Sequence, residues 1–179
     1  MTRRLLATIF QCAVLLAWTA APTFAQEDEI DGLMEQISSS SATRDAQALV
    51  ASNPPQTDDK HELAVFYHKR GIAHYTLGNY GQSVTDLQLA LQNNMPNRLT
   101  PGEWGDRWRI QNDLGTSLRT KGDWLSEQAH WESIAASSPT DSSHHQLAKR
   151  NLSGTFRRLG DFAAADQALR EADQTLNRT

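Results

Sequence analysis

The sequence predicts an all-α chain built from successive helix hairpins, and three observations predict it. Apolar residues recur at helical spacing along most of the chain, with no strand-like alternation. Residues 64–91 hold two such runs joined at Leu77-Gly78, a pair suited to ending a helix, after which Tyr80 opens the next run at once. Two weaker copies of this stretch follow. Setting their turn glycines in register gives Gly78, Gly122 and Gly160, 44 and 38 residues apart, and the small residues Gly71, Gly115 and Ser153 show the same two spacings. Small residue and turn glycine are thus always 7 apart, so the hairpin is constant and only the connectors vary. Periods of this size indicate stacked helical pairs.

The first 25 residues stand apart. Thr2-Arg3-Arg4 is a positive start, Leu5 to Trp18 an apolar stretch, and Thr23-Phe24-Ala25 a small-x-small cleavage signal, which together predict a secretory leader cut near Ala25. An uncleaved anchor is the competing expectation, but Gln11, Thr19 and Pro22 leave the stretch short of the roughly 20 apolar residues that a span needs. The expected location is periplasmic or secreted, with membrane contact only transient. Removing Arg3 and Arg4 with no acid takes the formal charge from −4 to −6. An acidic chain argues against nucleic acid as the partner. The single cysteine, Cys12, leaves with the leader, so the remainder can form no disulfide and no cysteine nucleophile or metal site. The other segments are a leading helical segment and linker at 26–56, then the repeat domain at 57–179 with units at about 57–95, 100–139 and 141–175.

In chain order, Ile30, Leu33, Met34 and Ile37 give a short helix, and Ala42, Ala46, Leu49 and Val50 continue the period until Asn53-Pro54-Pro55 stops it. These two runs can be read as a degenerate leading pair. The next helix starts near Thr57 or Asp59, with Glu62 completing an acidic capping box, and ends at Gly78. Its return places Ser83, Val84, Leu87 and Ala90 inward, and Gln82, Gln88 and Gln92 outward. Thr100-Pro101-Gly102-Glu103 reads as a cap, a first-turn proline and a capping glutamate, which predicts that the second unit's first helix is lengthened by about two turns. The third pass runs from Asp141 to Leu159-Gly160 and returns through Phe162, Ala165, Leu169 and Ala172.

This pattern resembles the tetratricopeptide repeat family over about residues 60–175. The matching positions are Tyr67, Gly71, Gly78, Tyr80, Leu87 and Ala90 in the first unit and Leu114, Gly115, Leu118, Gly122, Trp124, Trp131 and Pro139 in the second. In the third they are Leu152, Ser153, Phe156, Gly160, Phe162, Ala165, Leu169 and Ala172. Arg70, His74, Ser83, Gln111, Glu127 and Ile134 depart from the family pattern. The resemblance implies a right-handed superhelical α-solenoid of three hairpins. Small residues are expected where helices cross closely, with Tyr80, Trp124 and Phe162 filling the wedge beside each turn. Glu127, an acid where the family keeps a small residue, must reach solvent or pair, with Arg119 or Lys121 as candidate partners.

Catalytic patterns fare poorly, and neither metal nor cofactor is expected. His61-Glu62 begins a zinc-protease motif, but Val65 stands where its second histidine belongs. His68 and His74 fall on different faces, and the adjacent His144 and His145 point about 100° apart. Ser117 lacks the second glycine of a hydrolase elbow.

A groove is the stronger candidate. The resemblance places the first helices of successive units along a concave face, which here would hold His68, Ile72 and Tyr75, then Arg109, Asn112, Thr116 and Arg119, then Arg150, Arg157 and Arg158. Five arginines and no acid on this strip suit an acidic peptide or a chain terminus. The family's terminal-carboxylate clamp is not supported, because His68 and Ile72 occupy the first unit's places and Asp113 the second's. The expected function is a non-catalytic exported scaffold that binds an acidic protein segment. The alternative is a self-associating envelope component whose array ends, through Phe162, Ala164, Ala168 or Leu176, pair with another copy.

Overall fold

The computed structural model describes residues 40–94 and 104–176, with side chains to 174. The expected leader, the run from Ile30 to Ile37, the start at Thr100–Glu103 and the Leu176 side chain lie outside the described residues. The chain divides between Arg44 and Asp45, and apart from the first turn of α1 the account below concerns the second unit, Asp45–Thr179.

Among the described residues there are seven helices and no strand: α1 (Ser41–Val50), α2 (Lys60–Thr76), α3 (Tyr80–Asn93), α4 (Arg107–Lys121), α5 (Trp124–Ser137), α6 (Ser143–Leu159) and α7 (Phe162–Leu176). The protein is all-α there. None of these helices is long and apolar enough to cross a membrane. From α2 onward the helices form three pairs, α2–α3, α4–α5 and α6–α7, with α3 packed on α4 and α5 on α6.

The three pairs turn in the same way. Gly78, Gly122 and Gly160 adopt φ of 77°, 81° and 82°, a left-handed conformation that side chains disfavour. The residue after each glycine sends its N–H back to the carbonyl five residues earlier: Asn79 to His74, Asp123 to Leu118 and Asp161 to Phe156. These bonds satisfy carbonyls that a helix end would otherwise leave without donors. The same residues then serve as N-caps, since Asp123 accepts from the N–H of Ser126 and Asp161 from that of Ala164. Asn79 makes no such bond.

The mid-helix small residues mark the crossings. A Cβ on Gly71 would lie 2.9 Å from Leu87 Cγ, and one on Gly115 only 2.2 Å from Trp131 Cζ2. Ser83, Ala90, Ala165 and Ala172 are buried on the returning helices. One apolar cluster joins Val84, Leu87 and Ala90 to Ile110, Leu114 and Leu118, with Tyr67 and Leu91 packed on it. The other joins Trp131, Ile134 and Ala135 to Ala148, Leu152 and Ala168, with Trp108 and Phe156 against it. α4 and α5 touch less than the helices of the other pairs, and the Trp131 indole lies across Gly115 between them.

Four expectations are corrected. α4 begins at Arg107, capped by the Asp106 carboxylate, after Gly105 at φ 85°, so it is shorter than α2 or α6 and carries no extra turns. The aromatic residues after the turns do not fill a wedge: Phe162 is 67% exposed and Trp124 40%, and only Tyr80 is half-buried, edge-on to Tyr75. Glu127 is fully buried, and its nearest cation is Arg158, 3.8 Å away, in place of Arg119 or Lys121. Lys121 instead reaches Asp123. Ala168 points into the core and is no part of an exposed end.

Candidate functional site

α2 and α4 lie side by side through two contacts with the same 45-residue step. His68 Nε2 is 2.8 Å from Asp113 Oδ2, and Tyr75 Oη is 3.3 Å from Thr120 Oγ1. The step is one residue more than the 44 that separate Gly78 from Gly122, and it is the same at both contacts, so a single face runs across both helices.

His68 does not present itself to a partner on that face. It is fully buried, and the backbone N–H of Gly105 donates to its Nδ1, which leaves Nε2 to donate to Asp113. Trp104 stands edge-on to the ring at 4.9 Å, and the Arg109 guanidinium lies 4.3 Å from the Trp104 ring centre. Asn94 Nδ2 donates to the Gly105 carbonyl. His68 thus fastens the turn before α4, which explains why the helix starts where it does.

The remaining expected residues separate into two groups. Ile72, Tyr75, Arg109, Asn112, Thr116 and Arg119 are all partly exposed on α2 and α4. Arg119 Nη2 donates to Thr116 Oγ1 at 3.4 Å, while Thr116 itself donates to the Asn112 carbonyl. No carboxylate among the described residues pairs with Arg119. The α6 arginines behave differently: Arg150 lies 3.8 Å from Asp173, Arg157 lies 3.7 Å from Asp166 and Arg158 approaches Glu127. The strip read as free of acid therefore receives acids from α5 and α7, which spacing within one helix cannot reveal.

A second polar centre was missed. Arg70 grips Asp86 of α3 with two bonds, 2.7 Å from Nε and 2.9 Å from Nη2, and also donates to the Ser52 carbonyl. The Asp86 hydrogen bonds hold the Arg70 pKa above its ordinary value. His74 Nε2 lies 3.7 Å from Asp86, yet burial pushes the His74 pKa down, with Asp86 opposing and Arg70 assisting. The signal in sequence was the joint departure of Arg70 and His74 from the family pattern, one helical turn apart and level with the returning helix.

Three further histidines make structural contacts. His145 Nδ1 is 2.9 Å from the Ala135 carbonyl, His130 Nε2 is 2.8 Å from the Gln111 carbonyl, and His144 stacks on Trp108 at 4.1 Å. Ser117 is buried against Ser83, Oγ to Oγ 2.9 Å. Among the described residues no three histidine, cysteine, aspartate or glutamate side chains are close enough to share a metal. A cleft of about 200 Å³ lies between α5, α6 and α7, floored by Leu152, Phe156 and Ala168 and rimmed by Glu132 and the Lys149–Glu171 pair. No family model matches this chain, and no curated protein matches it.

Proposed function

We propose that the chain is a non-catalytic, exported scaffold of tetratricopeptide-like hairpins, which binds an acidic protein or peptide segment across α2 and α4. The observation that carries this reading is the shared face of those helices, tied at one register by His68–Asp113 and Tyr75–Thr120. On it Arg119 is half-buried beside Thr116, and Arg109 is laid over Trp104. Guanidinium groups held in this way lose little side-chain freedom on meeting a carboxylate, and their planar donors suit it. The binding centre moves toward Arg119, which no carboxylate among the described residues meets, whereas the α6 arginines already face carboxylates. Ile72 and Tyr75 supply the apolar contact there.

The test uses protein recovered from the exported fraction, whose intact mass should begin at Gln26, and a fluorescent polyglutamate peptide as the probe. Wild type should bind it with an affinity that falls as salt rises. Arg109→Glu with Arg119→Glu should weaken binding at least tenfold at unchanged helical circular dichroism. Equal binding by the double variant would overturn the proposal.

A further inference from the structure

The α6–α7 pair has two long faces. One packs toward α5 through Ala148, Leu152 and Ala168. The opposite face carries Arg150, Gly154 and Arg157 on α6 and Asp166, Leu169 and Asp173 on α7, each set spaced so as to share one helical stripe. Apart from the half-buried Gly154 these residues are exposed, and no other described helix packs closely on them. Phe162, two-thirds exposed, continues the α7 stripe at its turn end.

The ion pairs fix the level of the two stripes. Arg150 stands opposite Asp173 and Arg157 opposite Asp166, at 3.8 and 3.7 Å, which sets Leu169 level with Gly154 between them. The two arginines are seven residues apart, as are the two aspartates, a separation of about 10.5 Å along each helix. All four charges are exposed, and the Arg157–Asp166 pair is loose, so exchanging partners costs it little.

We propose that this face is the interface of a two-fold homodimer. A half-turn about an axis parallel to α6 and α7, lying in the face between them, exchanges the helices while keeping every residue at its level. The second copy's α6 then lies over α7, bringing Arg150 to the partner's Asp173 and Arg157 to the partner's Asp166. Leu169 comes over the partner's Gly154, where the room exists: a Cβ on Gly154 would meet only the tip of Arg158, at 3.5 Å. The charge pattern selects this occupant. An acidic partner would face Asp166 and Asp173 and a basic one Arg150 and Arg157, whereas a face with cations on one helix and anions on the other complements itself. The proposal uses no residue of the α2–α4 face, so the two readings fail separately.

Sedimentation velocity on the full chain tests it. Wild type should sediment as a dimer that dissociates on dilution. Arg150→Asp with Arg157→Asp makes the face wholly acidic, and Asp166→Arg with Asp173→Arg makes it wholly basic, so each double variant alone should run as a monomer. Mixed one to one, they should recover the dimer. Gly154→Leu, an uncharged change that fills the seat of Leu169, should also abolish association with circular dichroism unchanged. A wild type that stays monomeric into the high micromolar range overturns the proposal. So does a dimer that survives both charge variants, or a mixture that stays monomeric.

Discussion

Glu127 is a carboxyl group in the core whose two oxygens have no hydrogen-bond donor among the described residues. Its only nearby cation among the described residues, Arg158, is 37% exposed and beyond hydrogen-bond distance. Such a group costs more to bury than this contact returns, so replacing it with an apolar side chain of similar length should be neutral or stabilising. Removing Arg158 instead strands the carboxyl. Arg158→Ala should cost about 1 kcal/mol in urea unfolding, the low end for a lost charged partner because solvent screens the arginine. In a Glu127→Met background the same change should cost almost nothing, and an equal cost in both backgrounds would refute the pairing. The family pattern marks Glu127 as anomalous, but its partner stands 31 residues away on another helix and no local spacing points to it.

At the scale of the helix, the crossing glycines decide how closely each pair packs. Alanine for glycine in a helix gains about 1 kcal/mol in propensity. At Gly71 the obstacle is the flexible Leu87 side chain, first met at 2.9 Å, so clash and gain nearly offset. At Gly115 it is the rigid, fully buried Trp131 ring at 2.2 Å, and overpacking of this kind typically costs about 1–3 kcal/mol. Thermal melts should therefore place Gly115→Ala clearly below wild type and Gly71→Ala close to it. The reverse order would show that the indole does not set the α4–α5 distance. These glycines were legible as small residues at a crossing from their constant 7-residue interval to the turn. The start of α4 was not legible, because Thr100–Glu103 offers a good local cap while the start at Arg107 depends on His68, 37 residues before Gly105.

For the whole molecule, two histidines link stability to acidity. Burial lowers the pKa of His130 and of His74 from the ordinary 6.5. Between 6.5 and those lowered values the unfolded chain binds more protons than the folded one, so stability falls as pH drops through this window and is unaffected by them above it. Asp123, held low by its Ser126 hydrogen bond, and Glu171, held low by Lys149, remove further stability below their ordinary 3.8 and 4.5. Acidification should thus lower the melting temperature in two stages. His130→Gln, whose amide can still donate to Gln111, should shrink the first stage and leave the second. If its melting temperature follows wild type from about pH 7 to about pH 5, His130 is not a source of that stage.

The sequence by itself determined which runs are helical and where the three pairs turn, because periodicity and left-handed glycine are properties of neighbouring residues. Only the tertiary structure decided which charges are available. Arg70 met Asp86, His68 met Asp113, and the α6 arginines met acids of α5 and α7, since packing brings together groups that lie 9 to 45 residues apart in the chain. A row of arginines is fixed by local spacing; whether it faces solvent, a carboxylate or a second copy is fixed by what folds against it.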